Sequence, residues 1–352
     1  MWEGLCERPG SRPLNPPPHH NKKMAGGPAA AATALELYDP AWAPPAAGQQ
    51  NVTGVLCHFS ALLQALASCT SLARAVAGHR EYLARTATGR AFYDYFWEAA
   101  PSGGRHAGAF APGKEPGRRS AALLRALVAD LRARRPAHRY GPAQESATEG
   151  LVLLLEMLEP PGPAPPQGHP ITRLFMHRYE AQTICTRCRA AATPPLRDVA
   201  VQFNLFHHDA AHPTTPAEFG ELLREQVSPL SGYECARCGP GGGARLHRLR
   251  MVPEVLVCVF NAYGARRARY FPPRFPLPGT EGALWYRWVA QVEHHGGLGG
   301  GHYQATALRK GGGVYRFSDE HWAPARGGPA PSVYAVFYHA DGPGGRTGPA
   351  AA

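Results

Sequence analysis

The sequence of 352 residues has no apolar run long enough to form a membrane-spanning helix. Its most apolar stretch, LVLLLEML, is short and is interrupted by Glu156. The N-terminal stretch MWEGLCERPGSRPLNPPPHHNKK also lacks the continuous apolar segment of a secretory signal. We therefore expect an intracellular protein that does not enter a membrane.

Lysine is scarce, since only four of the 37 basic residues are lysines. The formal net charge of +11 would suit an acidic partner such as nucleic acid. However, the arginines are scattered through a background of alanine, glycine and proline, without a basic helix or a basic and aromatic platform. Such a composition fits a GC-rich coding sequence as well as a basic surface, so we do not expect nucleic-acid binding as the main function.

The eight cysteines do not indicate a disulfide framework, because four of them form two Cys-x-x-Cys pairs in an intracellular chain. The pairs are Cys185 with Cys188 and Cys235 with Cys238. Two such pairs supply the four thiolates of a tetrahedral structural zinc site. The alternative is one redox pair beside a coincidental one, but neither pair has a thioredoxin-like βαβ pattern around it. The spacing favours zinc.

Both ends of the chain are poor in periodic apolar residues. Residues 1–48 and 340–352 are rich in proline, alanine and glycine, and they cannot offset the entropy of ordering. We expect both to be disordered, with one folded domain over 49–339.

Within that domain, helices precede strands. Apolar periodicity predicts helices over 57–77, 121–134 and 146–159, the last with a capping box formed by Ser146 and Glu149. Aromatic and β-branched runs predict strands over 284–294, 302–309, 314–317 and 332–339. This order indicates an α+β fold rather than alternating β and α units.

Cys57 follows the residues TGVL and opens the first predicted helix. Unpaired backbone N–H groups and the positive end of the helix dipole meet there, and both favour the thiolate, which is the nucleophilic form. Most free cysteines are small buried apolar residues instead. Cys57 is therefore a candidate nucleophile with a structural alternative.

His302 follows the glycines at 299–301 and opens a predicted strand. A hairpin over 302–317 would return Asp319 to its side, where a carboxylate would hold the imidazole in one tautomer. A lone histidine is more often a structural residue, so that alternative stays open.

Six segments resemble, in order, the sequence boxes of the ubiquitin-specific proteases, which are papain-like cysteine peptidases that remove ubiquitin. They are GVLCHFSALLQAL, QESATEGLVLLLEMLE, the two Cys-x-x-Cys pairs, YECARCGPGGGARLHRLRMVPEVLVCVFN, WYRWVAQVEHHGGLGGGHYQATAL and VYAVFYH. Any one box would be weak, but six in this order and spacing are specific to the family.

The resemblance implies a helical thumb over about 50–160, and a β-sheet palm with zinc-bearing β fingers over about 170–339. It implies that a monomer binds ubiquitin or ubiquitinated proteins and cleaves at the C-terminal glycine through a thioester acyl-enzyme. Cys57 would be the nucleophile, His302 the general base and then acid, and Asp319 the third member, with a structural Zn²⁺. The implied substrate contacts are Gln64, Glu149, Gly301 and Tyr303.

Two departures from the family pattern concern the predicted catalytic centre. The position of the oxyanion-hole asparagine is Val52, so either Asn51 reaches in through an altered loop or backbone N–H groups near Cys57 take the role. The usual third-member position is Ser318. We favour its neighbour Asp319, although adjacent strand residues face opposite sides, so this assignment needs a bend in the chain.

A third departure concerns substrate binding, because Ser146 stands where the family carries an acidic residue in its Gln-rich box. Glu149 either contacts the basic tail of ubiquitin or only caps its helix. Three functions remain open: an active deubiquitinase, which we favour, a weak or inactive ubiquitin-binding scaffold, and a protease for a ubiquitin-like modifier.

Overall fold

The structure is a computed structural model that describes residues 38–44, 46–49, 51, 56–97, 116–137, 146–163, 168–191, 196–200, 202–204, 213–260, 269–279, 282–297 and 300–343. Its helices are α1 (Cys57–Ala67), α2 (Thr70–Gly78), α3 (Arg80–Leu83), α4 (Ala87–Phe96), α5 (Pro116–Arg134), α6 (Ala147–Leu158) and α7 (Pro216–Arg224). Short 3₁₀ turns cover Pro40–Trp42, Thr172–Leu174 and Lys310–Gly312.

The strands follow the helices of the first half. They are β1 (His177–Cys185), β2 (Leu196–Ala200), β3 (Phe203–Asn204), β4 (Glu225–Leu230), β5 (Glu234–Cys235), β6 (Gly239–Pro240), β7 (Gly243–Met251), β8 (Val255–Val259), β9 (Arg274–Gly279), β10 (Gly282–Gly297), β11 (Gly300–Leu308), β12 (Val314–Ser318), β13 (His321–Pro324) and β14 (Val333–Pro343). The predicted order of helices before strands is confirmed, and with it the α+β class.

The helical thumb comprises α1 to α6, and its first predicted helix is bent into two. Ser68 ends α1, because its hydroxyl donates a hydrogen bond to the Leu308 carbonyl (2.7 Å) and the next residue, Cys69, is extended. The helices α1 and α2 therefore meet at 88°. Among the described residues no single helix has the length and composition to cross a membrane, and only this bent pair would have them jointly.

The palm is a sheet in the strand order β13-β12-β11-β10-β14-β8-β3, with β9 also paired to β10. Among the described strands of this sheet, β3 runs parallel to β8 and the other pairings are antiparallel. One buried apolar cluster joins the thumb helices to this sheet, and it includes Phe59 and Leu63 of α1, Ala305 of β11 and Phe337 of β14. Helix α1 is thereby packed directly on the strands at the centre of the palm.

The fingers form a separate antiparallel sheet in the order β2-β1-β7-β4, with the two-stranded β5-β6 hairpin at one end. Helix α7 precedes β4 and was not predicted. Its start is a full capping box, in which Thr215 and Glu218 hydrogen-bond each other's backbone, with Pro216 at the first helical position. The residues TPAE carried that signal in the sequence.

Residues 38–44 and 46–49 pack against the thumb and palm, whereas the sequence predicts a disordered arm up to residue 48. We call these residues the strap. The Tyr38 N–H donates to the Ala340 carbonyl (2.9 Å), Trp42 packs edge-to-face on Trp97 (5.8 Å), and Ala43 is fully buried. At the other end, β14 continues to Pro343, so the predicted tail begins too early. Residues 1–37 and 344–352 lie outside the described residues, and their predicted disorder stays a prediction.

Candidate active site

Cys57 is the first residue of α1, as predicted, and only 4% of its surface is exposed to solvent. Leu56 occupies the N-cap position without a side-chain cap, and its N–H donates to Asn51 Oδ1 (2.9 Å). Val52 and Gly54 of the cysteine box lie outside the described residues. The sulfur thus lies at the start of a helix, and the backbone just before it is held by the hydrogen bond to Asn51.

His302 lies in β11, directly opposite His295 of β10. The residues that follow the two candidate catalytic residues are close neighbours, since the rings of His58 and Tyr303 meet at a centroid distance of 6.3 Å. The packing of α1 on β11 therefore places the helix that Cys57 opens against the strand that contains His302, although the two residues are far apart in sequence.

Ser318, the last residue of β12, is hydrogen-bonded to His302, with 2.9 Å between Ser318 Oγ and His302 Nε2. Gln304 Nε2 donates to the same oxygen (3.3 Å). The sequence favoured Asp319 as the partner of His302, but the observed hydrogen-bond partner is Ser318. The reason is that β12 ends at Ser318 with the serine side chain directed to His302 of β11. A catalytic role for Asp319 stays a prediction.

Asp319 begins the turn after β12 in a left-handed conformation, with φ of 51°. Its Oδ2 accepts a bond from Asn51 Nδ2 (3.3 Å), and its carbonyl accepts one from the Gln49 N–H (2.7 Å). Within the described part of the chain, the buried Oδ1 has no hydrogen-bond partner. Asp319 therefore joins the turn to the chain segment that leads into Cys57, and Asn51 bridges the two.

Gly301 precedes His302 at a position where a side chain does not fit. An added Cβ would lie 2.6 Å from His294 Nε2 and 2.5 Å from the His295 carbonyl oxygen. Burial and the nearby His295 and His302 lower the pKa of His294, which favours its neutral form. The backbone just before His302 is thus in close contact with the His295 carbonyl and with the imidazole of His294, which is mostly neutral.

The four predicted substrate contacts divide by exposure. Glu149 and Gly301 are exposed, whereas Gln64 (1%) and Tyr303 (2%) are buried. The Gln64 amide donates to the Ala47 carbonyl (2.8 Å) and its oxygen accepts from Arg309. Ser146 accepts the Glu149 N–H (3.3 Å), which is the serine half of the predicted capping box at the start of α6. The substrate contacts themselves stay predictions.

The four predicted metal ligands converge at the end of the fingers. The sulfur atoms of Cys185, Cys188, Cys235 and Cys238 all lie within 4.8 Å of one another. Two of the S–S distances are 3.5 and 3.6 Å. Tetrahedral zinc–thiolate coordination with Zn–S bonds of about 2.3 Å requires S–S separations of about 3.8 Å. The cluster has the size to bind a metal ion.

Backbone N–H groups stabilise negative charge in this cluster. The N–H of Cys188 lowers the pKa of Cys185 to about 6, and the N–H of Arg237 lowers that of Cys235. The hydrogen bond between Cys238 and the Cys185 sulfur raises the pKa of Cys238 to about 12. Deprotonating all four thiols is therefore unfavourable when no cation is bound. A bound cation would remove that penalty, which fits a metal site.

Arg309 is a residue whose position the sequence did not predict. It follows β11 immediately, yet it is 1% exposed and its guanidinium contacts α1 and β12. A basic residue at the end of a strand is usually solvated, so no sequence signal marked it. The role of Asn51 as a bridge was also not predicted.

A model of the ubiquitin carboxyl-terminal hydrolase family matches residues 47–338. The fold is similar to the SAGA DUB module of Ubp8, Sgf11, Sus1 and Sgf73 bound to monoubiquitin (TM-score 0.62, 16% identity, covering 89% of this chain and 72% of that chain). The same module bound to ubiquitin aldehyde has a TM-score of 0.62 and 16% identity, with 87% and 71% covered.

A yeast SAGA DUB module with a mutant Sgf73 also has a TM-score of 0.62 and 16% identity, with 87% and 70% covered. These likenesses show a shared fold. None of the curated proteins compared with the chain matches it.

Proposed function

The chain belongs to the ubiquitin carboxyl-terminal hydrolase family, of the ubiquitin-specific protease type, and on that premise we propose that it is an active cysteine deubiquitinase. It hydrolyses the peptide or isopeptide bond at the C-terminal glycine of ubiquitin. The observation that supports the proposal is the packing of α1, the helix that Cys57 opens, on β11, the strand whose His302 is hydrogen-bonded to Ser318.

The ring orientation assigns a direction to proton transfer. Ser318 Oγ has two lone pairs and accepts from Gln304 Nε2. We assign the proton of the bond to His302 to the ring, so that Ser318 Oγ also accepts from Nε2–H. The other ring nitrogen, Nδ1, is then the basic atom that takes the Cys57 thiol proton. Because Ser318 is neutral, it orients the ring without the electrostatic stabilisation that a carboxylate would give to the imidazolium.

The reaction then proceeds in two acyl transfers. The Cys57 thiolate attacks the carbonyl carbon of the terminal glycine, and His302 delivers its proton to the leaving lysine amine as the C–N bond breaks. Water, deprotonated by His302, attacks the thioester, and the thiol leaves with the proton restored. Ubiquitin with a free carboxylate is released.

Asn51 is the side chain we assign to the oxyanion, together with backbone N–H groups at the start of α1. Its Oδ1 accepts from Leu56 and one amide hydrogen is directed to Asp319, so the second amide hydrogen is the donor that remains for the oxyanion. Asp319 would then act by holding Asn51.

The four clustered cysteines are proposed to bind a structural zinc ion. All four thiolates serve as ligands, so no position is left for a water molecule to be activated. The ion would hold the β5-β6 hairpin against β1, which supports the fingers in gripping ubiquitin.

The test is the intact mass of the protein after incubation with ubiquitin bearing a C-terminal electrophile, beside Cys57→Ala and His302→Ala. We expect one ubiquitin adduct on the wild type, none on Cys57→Ala, and formation at least about 100-fold slower on His302→Ala. No adduct from a wild type that still binds ubiquitin would favour a scaffold. Neither adduct nor binding would favour a ubiquitin-like modifier as the substrate.

A further inference from the structure

Arg309 has the most buried charged side chain of the described palm. It takes no part in the steps of the proposed reaction. We propose that Arg309 is a positioning residue for the thiol–imidazole pair, an inference that rests on the proposed function. Its guanidinium fixes the thumb helix that carries Cys57 to the palm strands that carry His302 and Ser318.

Three elements meet at this guanidinium. Arg309 itself follows β11, the strand of His302. Its Nη2 donates to the Gln64 carbonyl (3.1 Å) and to Gln64 Oε1, and its Nη1 donates to Ser68 Oγ, all on or directly after α1. It also lies 4.3 Å from the ring centroid of Phe317, which precedes Ser318 in β12. We call Arg309 with these three partners the clamp.

The clamp lies at the far end of two elements that run side by side. Near the candidate active site, His58 meets Tyr303, and at the other end Ser68 donates to the Leu308 carbonyl. Ten residues of helix separate His58 from Ser68, about 15 Å, and five residues of strand separate Tyr303 from Leu308, about 17 Å. The two lengths match, so α1 and β11 are parallel neighbours, and their alignment depends on contacts at both ends.

The charge of Arg309 persists at neutral pH. Burial lowers its pKa to about 10, against a partial rise from Tyr95, Tyr38 and Cys69. A cation that is kept in the interior is costly unless its donors are satisfied. One acceptor is the Leu308 carbonyl of β11 (3.2 Å), and the other three belong to Gln64 of α1 and to Ser68 directly after it. A drift of the helix away from β11 would therefore remove most of the hydrogen bonds of a buried charge, and the clamp resists that drift.

Misalignment at the clamp should reduce catalysis without reducing binding. Displacing reacting groups by about 1 Å can cost about 100-fold in rate. Because the Arg309 side chain is enclosed, it would not contact a bound ubiquitin directly. A residue with only a structural role would instead lower stability and leave the turnover of the folded protein unchanged.

The experiment compares Arg309→Met and Arg309→Lys with Arg316→Met, a matched change at an exposed arginine of β12. The first measurement is the rate of Cys57 alkylation by iodoacetamide without ubiquitin, located by peptide mass mapping, with His302→Ala as reference. The second is kcat and KM on a fluorogenic ubiquitin substrate. Thermal unfolding is recorded for every variant.

For Arg309→Met we expect an alkylation rate within about twofold of His302→Ala, kcat lowered at least about tenfold, and KM within about twofold of the wild type. Arg309→Lys should recover part of the loss, since it keeps the charge, and Arg316→Met should match the wild type. A folded Arg309→Met with wild-type alkylation and kcat would overturn the proposal.

Should Arg309→Met fail to fold, Ser68→Ala removes one partner of the clamp on the side of the helix. A fall in kcat of about threefold or more at unchanged KM is expected, and an unchanged kcat would count against the clamp. Failure of the proposed function is visible separately. If wild-type Cys57 is alkylated no faster than in His302→Ala, the thiol–imidazole pair itself is absent.

Discussion

At the scale of single residues, the turn after β12 decides which side chain supports His302. Ser318 is bonded to the ring, and Asp319 is bonded to Asn51. A hydroxyl orients an imidazole but adds no charge, whereas a carboxylate does both. In the proposed reaction, substitutions of the two residues should therefore have separable effects.

We predict that Ser318→Ala lowers kcat by roughly tenfold to 100-fold, because the ring loses its orientation. Ser318→Asp should retain or exceed wild-type activity, since the carboxylate also stabilises the imidazolium. Asp319→Asn should lower kcat by less, and asparagine suits the left-handed backbone at that position. The measurement is steady-state kinetics on a ubiquitin substrate. If Ser318→Ala keeps the wild-type kcat and Asp319→Asn is inactive, Asp319 is the third member of the catalytic triad, as the sequence alone favoured.

The sequence nominated the residues of the candidate site but did not predict the hydrogen bonds that the structure shows between them. Cys57, His302 and the four clustered cysteines could be named from motif spacing alone. The choice between Ser318 and Asp319 depends on where β12 ends, and a difference of one residue turns a side chain to the opposite face. Arg309 could not be found, because its burial comes from tertiary packing that no local pattern encodes.

At the scale of elements, the strands of the palm could be predicted and the break of the first helix could not. The palm strands either alternate between polar and apolar residues or are apolar throughout, so each strand can be recognised from its own stretch of sequence. Apolar periodicity continues through residues 57–77, but the hydroxyl of Ser68 bonds a distant strand and ends α1. Helix α7 was missed because few apolar residues support it, although its capping box was present.

The fingers are the element whose integrity should depend on the metal. We predict one zinc per chain, lost in Cys188→Ser and retained in Cys258→Ala, a buried cysteine of β8 outside the cluster. Zinc loss should weaken ubiquitin binding by about tenfold or more, since the four-cysteine end of the fingers loses its ligand bonds. The alkylation rate of Cys57 should stay within about twofold, because the cluster lies at the end of the fingers whereas α1 packs on the palm.

Metal content by elemental analysis and ubiquitin binding by calorimetry are measured in a Cys57→Ala background, and the alkylation rate is measured in the chain that retains Cys57. A chelated protein with full stability and full affinity would contradict a structural metal.

At the scale of the whole molecule, the strap closes the junction between thumb and palm. The Pro44 carbonyl accepts from the Lys310 N–H (3.0 Å), and the Ala47 carbonyl accepts from Gln64, a member of the clamp. Gly48 lies so close to the turn that an added Cβ would be 2.0 Å from the Glu320 carbonyl oxygen. The strap thus contacts both the clamp and the turn that carries Asp319.

Two N-terminal truncations separate the strap from the residues before it. Removing residues 1–37 should leave the melting temperature and kcat close to those of the full chain, because the strap keeps its contacts. Removing residues 1–48 exposes the surfaces under Trp42 and Ala43 and takes the acceptor from Gln64. This should lower the melting temperature by roughly 5 °C or more.

Since the lost acceptor belongs to the clamp, kcat should also fall in the longer truncation, while KM changes less. Differential scanning fluorimetry and steady-state kinetics on both truncations give the comparison. If the two truncations behave alike, the strap has no part in holding thumb to palm, and the alignment of α1 with β11 rests on the clamp and the apolar core alone.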